Sequence, residues 1–202
     1  MVRASVLIVL IFAFIGGTAC SQTPIENSSL VQPLGENEYA AIVRKHTSRT
    51  NQYSGFYQTF QADVTILSTE VLTAGLRQRA HFMQWDQTQY QSERDRTMQD
   101  AAAYAKFFMR FYSPESDYDD FHKGKSIWKV YLEYGGSRFE GKVKKLTEKF
   151  VEVQNLYPHV DRFSSNYELT FSVPMTTVEN GPGKIILTSS LGSAEFKFPS
   201  GK

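Results

Sequence analysis

The chain has 202 residues, with 22 Lys and Arg against 21 Asp and Glu, for a net charge of +1. Loss of a leader containing Arg3 would bring the two signs to parity, which argues against a nucleic-acid binder, because such a protein needs a basic excess facing phosphate. Fifteen Phe and eleven Tyr suit the core of a β-sheet protein, and a mature length of roughly 180 residues suits one domain.

Arg3, the apolar run Val6–Ile15 (VLIVLIFAFI) and the small residues Gly16, Gly17, Thr18 and Ala19 follow the order of a secretory signal peptide. As a helix the apolar run spans about 15 Å, half of a ~30 Å hydrocarbon core, so it is read as a leader rather than a permanent membrane span. Cys20, the only cysteine, comes next. Gly17-Thr18-Ala19-Cys20 resembles the lipobox of bacterial lipoproteins, in which the cysteine becomes the first mature residue and is acylated on its sulfur and amine. It departs from that motif at Gly17, where Leu is usual, and Gly17-x-Ala19 also satisfies the rule for ordinary signal peptidase, which would release an unanchored protein. On the lipoprotein reading, residues 1–19 are signal peptide and 20–36 a lipidated cysteine and polar tether. Two or more acyl chains hold stably to a bilayer. Ser21 resembles the outer-membrane sorting pattern, so the expected location is the cell envelope, at the outer membrane of a Gram-negative bacterium.

Asn37 is expected to cap a short helix carrying Tyr39, Ile42 and Val43 on one side. Phe56, Phe60, Ala62, Val64 and Ile66 then alternate with polar neighbours, interrupted at Gln58, and favour a strand ending near Ser68, while Phe56, Phe60, Val64 and Leu67 also fit a helix. Ser68 or Thr69 opens the clearest helix, over about 69–105, with Leu72, Leu76, Ala80, Met83, Tyr90 and Met98 near one face. Past Asp86 it is mostly polar, and a break is expected there if anywhere. Strand patterns return in KFFMRFY, SIWKVYLEY, SRFEGKVKKL and YELTFSV, with a tight turn at Gly135-Gly136 and a closing hairpin of KIILTS and AEFKF. The expected architecture is mainly β: an immunoglobulin-like antiparallel sandwich of about seven strands over residues 37–202, with a long helix inserted after the first strand.

The order of TILSTEV, FFMRFYSP, IWKVYLEYGG, LYPHVDRF and YELTFSVP is similar to that of a family of uncharacterised bacterial lipoproteins. The shared positions are aromatic and turn residues. The resemblance implies the anchor and the fold, and it carries no catalytic site.

The richest polar stretch is SPESDYDDFHKGKS, where Asp117, Asp119, Asp120 and His122, with Glu115, are candidate cation ligands. The spacing is not that of an EF-hand: counted from Asp117, the positions that need Gly and a bidentate Glu hold His122 and Trp128. A solvated loop leading into a strand explains the same residues. Gly124-Lys125-Ser126 lacks the first glycine and following helix of a phosphate loop. His46, His81, His122 and His159 show no metal-ligand spacing and no triad pattern, and no G-x-S-x-G elbow is present. Trp128 reads as a core anchor, and Tyr157 and Tyr167 as flanking a corner between strands. Phe82, Trp85 and Tyr90 are the candidate partner contacts on the inserted helix.

The expected function is that of a membrane-anchored envelope lipoprotein with a non-catalytic binding or structural domain. It needs no cofactor, meets the membrane through acylated Cys20, and has an envelope protein as its candidate partner. The competing expectation is a metal-dependent hydrolase or calcium-dependent binding module using the acidic loop 115–122.

Overall fold

The structure, a computed structural model, describes residues 31–198; the leader and Cys20 lie outside the described residues. Helix α1 (Glu36–Lys45) carries Glu36 and Glu38 in its first turn and Arg44 and Lys45 in its last, matching the helix dipole. Tyr39 and Val43, one turn apart, form its buried stripe. The chain then doubles back through a hairpin of β1 (Thr47–Ser54) and β2 (Tyr57–Ile66). The sequence TSRTNQYS of β1 is polar on both faces, which is why no alternation announces it. The helical insertion therefore follows the second strand, not the first. Phe56, expected to begin the inward series, sits in the hairpin turn and is fully exposed.

The single helix expected over 69–105 is two helices, α2 (Thr69–Phe82) and α3 (Gln87–Ala103). Ser68 caps α2 through its hydroxyl, and the Glu179 carboxylate accepts the Thr69 N–H and hydroxyl at 2.6 and 2.8 Å. Two hydrogen bonds close the other end of α2: Gln84 N–H to the His81 carbonyl and Trp85 N–H to the Ala80 carbonyl. That closure puts Gln84 at φ 53, a left-handed position where glycine is usual. Asp86 then caps α3 in a reciprocal capping box with Gln89. The break thus falls where Asp86 allowed one.

Nine strands, among the described residues, form two antiparallel sheets. The first has the order β1-β2-β3-β7-β6, with β3 at Ala105–Tyr112, β6 at Lys142–Lys145 and β7 at Ser165–Phe171. The second has the order β5-β4-β8-β9, with β4 at Lys129–Tyr134, β5 at Ser137–Glu140, β8 at Gly183–Ser189 and β9 at Gly192–Phe198. Short helices α4 (Phe150–Leu156) and α5 (Met175–Val178) flank β7 in the chain. The inner faces meet through Phe60, Val64, Phe107, Phe111, Leu169 and Phe171 on one side and Val130, Leu132, Ile185 and Phe196 on the other. Trp128 anchors one end of this core, with its ring centroid 5.0 Å from that of Phe60 and 4.9 Å from that of Phe121. Its indole N–H donates to the Tyr118 carbonyl at 2.7 Å, so the buried ring leaves no polar atom unpaired.

The strand count exceeds seven partly because SRFEGKVKKL divides at Gly141. Before it, β5 pairs with β4 in the second sheet; after it, β6 pairs with β7 in the first. The Gly141 N–H still donates to the Val130 carbonyl at 2.8 Å, and a Cβ there would stand 2.7 Å from the Phe171 ring. Glycine is what lets one residue carry the chain between layers. Gly141→Ala is expected to lower unfolding free energy by about 1–3 kcal/mol, the cost of overpacking a filled core, as read from denaturant midpoints.

Candidate functional site

Of the three candidate contact residues of the inserted helix, Trp85 and Tyr90 share one apolar cluster and Phe82 stays exposed. Phe82 (48% exposed) and its neighbour Met83 (64%) project from the elbow between α2 and α3. Trp85 is half-buried there, and its position after the left-handed Gln84 lays it back over Ala80. Tyr90, at 9% exposed, belongs to a small core with Leu76 and Ala80, one turn into α3. The capping box at Asp86 starts a new helix, yet Tyr90 and Met98 still pack with Leu76 and Ala80.

The acidic loop turns inward. The Asp119 carboxylate accepts from the Tyr167 hydroxyl at 2.6 Å, from Lys145 Nζ at 3.1 Å and from the Ser165 hydroxyl. Burial, with the Asp119 carboxylate adding to it, pushes the Tyr167 hydroxyl above its ordinary pKa, so Tyr167 stays a neutral donor. Asp120 is buried and accepts from the Ser126 hydroxyl at 2.8 Å, while the same hydroxyl accepts the Trp128 N–H. Asp117 lies in a single 3-10 turn at Ser116–Tyr118, and His122 is exposed. Among the described residues no three His, Cys, Asp or Glu side chains converge as metal ligands do. The two aspartates hold the loop that seats Phe121 and Trp128 in the core.

A charged row on the outer face of the first sheet went unnoticed in the sequence. Arg49 on β1, Asp63 on β2, Arg110 on β3 and Asn166 on β7 stand directly opposite one another in register. Asp63 is fully buried and takes both fork bonds of Arg49, at 2.6 and 2.9 Å, and a third from Arg110 at 3.3 Å. Arg110, only 5% exposed, also donates to Asp161 in the segment after α4. Burial raises the Asp161 carboxyl, but the Arg110 bond and the Phe163 N–H outweigh it and hold the group below the usual carboxylate range. His159 lies over the row, and burial, helped by the charges of Arg49 and Arg110, brings its pKa down to about 4. Among the described residues, Arg110 Nε, His159 Nε2 and Asn166 Oδ1 have no protein partner. In the sequence Asp63 and Arg110 are only two of several polar residues at the outward positions of alternating strands.

Beside His159, a groove of about 440 Å³ is lined by Ala40, Val43, Arg44, Thr47, Arg49 and Pro158. A separate apolar feature is the tip of the β1–β2 hairpin, where Tyr53, Phe56 and Tyr57 are exposed. From Thr50 through Thr59 the hairpin carries no charged residue. Comparison with known proteins adds no relative: no family model, no curated protein and no solved structure matches this chain.

Arg110→Met leaves Asp63 and Asp161 without their shared cation and is expected to cost about 3–5 kcal/mol of stability. The double variant Asp63→Leu/Arg110→Met is expected to cost much less, since it removes the buried charges together. Both are measured by denaturant unfolding. Acid should destabilise the fold in two steps. Below pH ~6.5 the unfolded chain protonates His159 while the folded chain resists until about 4, so stability falls across that window. Asp161, depressed in the fold, adds a second loss below its ordinary titration range. His159→Gln should flatten the first step and spare the second, as read from melting temperature against pH.

Proposed function

We propose that the chain is a lipid-anchored envelope protein whose β-domain binds or braces another envelope component without catalysing a reaction. The observation that carries this reading is a solitary cysteine placed directly after a signal-peptide pattern of charge, apolar run and small residues. Acyl chains on Cys20 would hold the domain at a bilayer with no help from a spanning segment. Among the described residues no helix is long and apolar enough to cross a membrane.

The strand order supports the finer, immunoglobulin-like reading of the fold. The run β2-β3-β7-β6 follows the A-B-E-D order of such a sandwich, and β5-β4-β8-β9 follows C′-C-F-G, with β1 as an added edge strand. Sandwiches of this kind present loops and hairpin tips at their ends. The aromatic β1–β2 tip and the α2–α3 elbow are the exposed apolar features that suit a contact role. The resemblance to uncharacterised lipoproteins supports the same reading.

Intact mass and labelled-palmitate incorporation test the anchor. The wild-type chain is expected to begin at Cys20, to carry acyl mass, and to stay with membranes through high-salt washing. Cys20→Ser is expected to lose label and wash free. A mature wild-type protein with an unmodified thiol, recovered in the wash, would overturn the proposal.

A further inference from the structure

We infer that the α2–α3 elbow, through Phe82, Met83 and Trp85, seats in the headgroup region of the same bilayer that holds the anchor. This rests on the lipid-anchor reading and adds a second, protein-borne membrane contact to it.

The first described residues show where the anchored segment joins the domain. The Leu34 carbonyl accepts from Gln78 Nε2 at 3.0 Å, and the Gln32 carbonyl accepts from Arg77 Nε at 3.2 Å. Leu34 packs on Tyr39, Val43 and Ala74, while Val31 packs into the Leu76, Ala80 and Tyr90 cluster that also holds Trp85. Followed from Leu34 back to Val31, the chain thus runs along α2 from the level of Ala74 toward Ala80 and the elbow. Eleven residue steps separate Val31 from Cys20. Even fully extended they reach no more than about 40 Å. Of the elements described, the elbow is the one at which the tether leaves, so an acylated Cys20 holds this surface close to the bilayer at high effective concentration.

The chemistry of the elbow fits an interface. From Val71 through Trp85 there is no Asp or Glu, and Arg77, Arg79 and His81 lie on the last turns of α2. The nearest acid, Asp86, is engaged in capping α3 at the Gln89 N–H, 2.8 Å away. Tryptophan, with an apolar body and one N–H donor, favours the headgroup level, and exposed Phe and Met supply the apolar contact below it. Gln84, held at φ 53, turns the backbone sharply between Met83 and Trp85, so neighbouring apolar side chains project at a bend instead of continuing along a helix.

The protein supplies its own reporter, because its only other tryptophan, Trp128, is buried in the core. Wild-type protein, purified with its acyl chains, is reconstituted into phosphatidylethanolamine–phosphatidylglycerol vesicles with brominated acyl chains. Its emission is expected to be partly quenched, and Trp85→Phe is expected to remove that quenching. Phe82→Ser/Met83→Ser should reduce it while leaving flotation with the vesicles intact, since the anchor is untouched. Emission of the floating wild-type protein that ignores brominated lipid would overturn the elbow assignment, leave the anchor standing, and pass the elbow to a protein partner. Quenching of a Phe56→Trp reporter in the Trp85→Phe background, with Trp85 itself unquenched, would overturn it in favour of the hairpin tip. Failure of the wild type to float would remove the anchor and this inference together.

Discussion

A buried carboxylate facing two guanidinium groups fixes how the first sheet is assembled. Asp63 sits in the middle of β2 with no exposed surface, and its charge is matched by Arg49 on one neighbouring strand and Arg110 on the other. Slipping either pairing by one residue would turn these side chains to the opposite face and put Phe60, Val64, Phe107 and Phe111 outward. The charges and the aromatic core therefore specify the same register from opposite faces of the sheet. A single unpartnered charge there would be costly, whereas Arg49, Asp63, Arg110 and Asp161 together balance two charges of each sign.

That row also determines what must cover the outer face. Asp161 reaches Arg110 from the segment between α4 and β7, and in the same segment Tyr157 stacks on Phe108 with ring centroids 3.6 Å apart. The Leu156 carbonyl accepts the Tyr39 hydroxyl at 2.8 Å, which ties α1 to the end of α4. Helix α2 packs on α1 at Ala74 and is held at its start by Glu179, from just beyond α5. The helical side of the molecule is thus built outward from the charged face. The chain arrives there from its N-terminal side along α2, with Val31 packed on Leu76, Ala80 and Tyr90. The second sheet differs: its outer face carries exposed ion pairs such as Lys129–Glu140 and Lys184–Glu195, which contribute little to stability.

Much of the strand framework was legible because its signals are local. Alternation in KFFMRFY and YELTFSV follows from one buried and one less buried face, and both became neighbouring strands, β3 and β7. Gly135 and Gly136 marked their turn because both adopt positive φ, at 58° and 78°. β1 carries no alternation because its residues are polar on both faces, so this edge strand has no period to detect. Tyr90 and Met98 pack on the face of Leu76 and Ala80 that their spacing indicates, although the cap at Asp86 divides the helix. The acidic loop looked like a ligand set in sequence; folding turned Asp119 toward Tyr167 and Asp120 toward Ser126.

What the sequence determined by itself is the chain's composition of parts: a leader pattern before one cysteine, a helical insert, and a series of sheet strands with their tight turns. These depend on the character of neighbouring residues, so a single chain read in order contains them. Which strands share a sheet, the crossing at Gly141, the ionic row from Arg49 to Asn166 and the meeting of Val31 with the elbow were decided by the tertiary structure alone. The ionic contacts of the row join residues 14 to 51 positions apart, as in Arg49–Asp63 and Arg110–Asp161. Such pairings are selected by complementary burial and charge once the two sheets close on each other, and no local pattern encodes them.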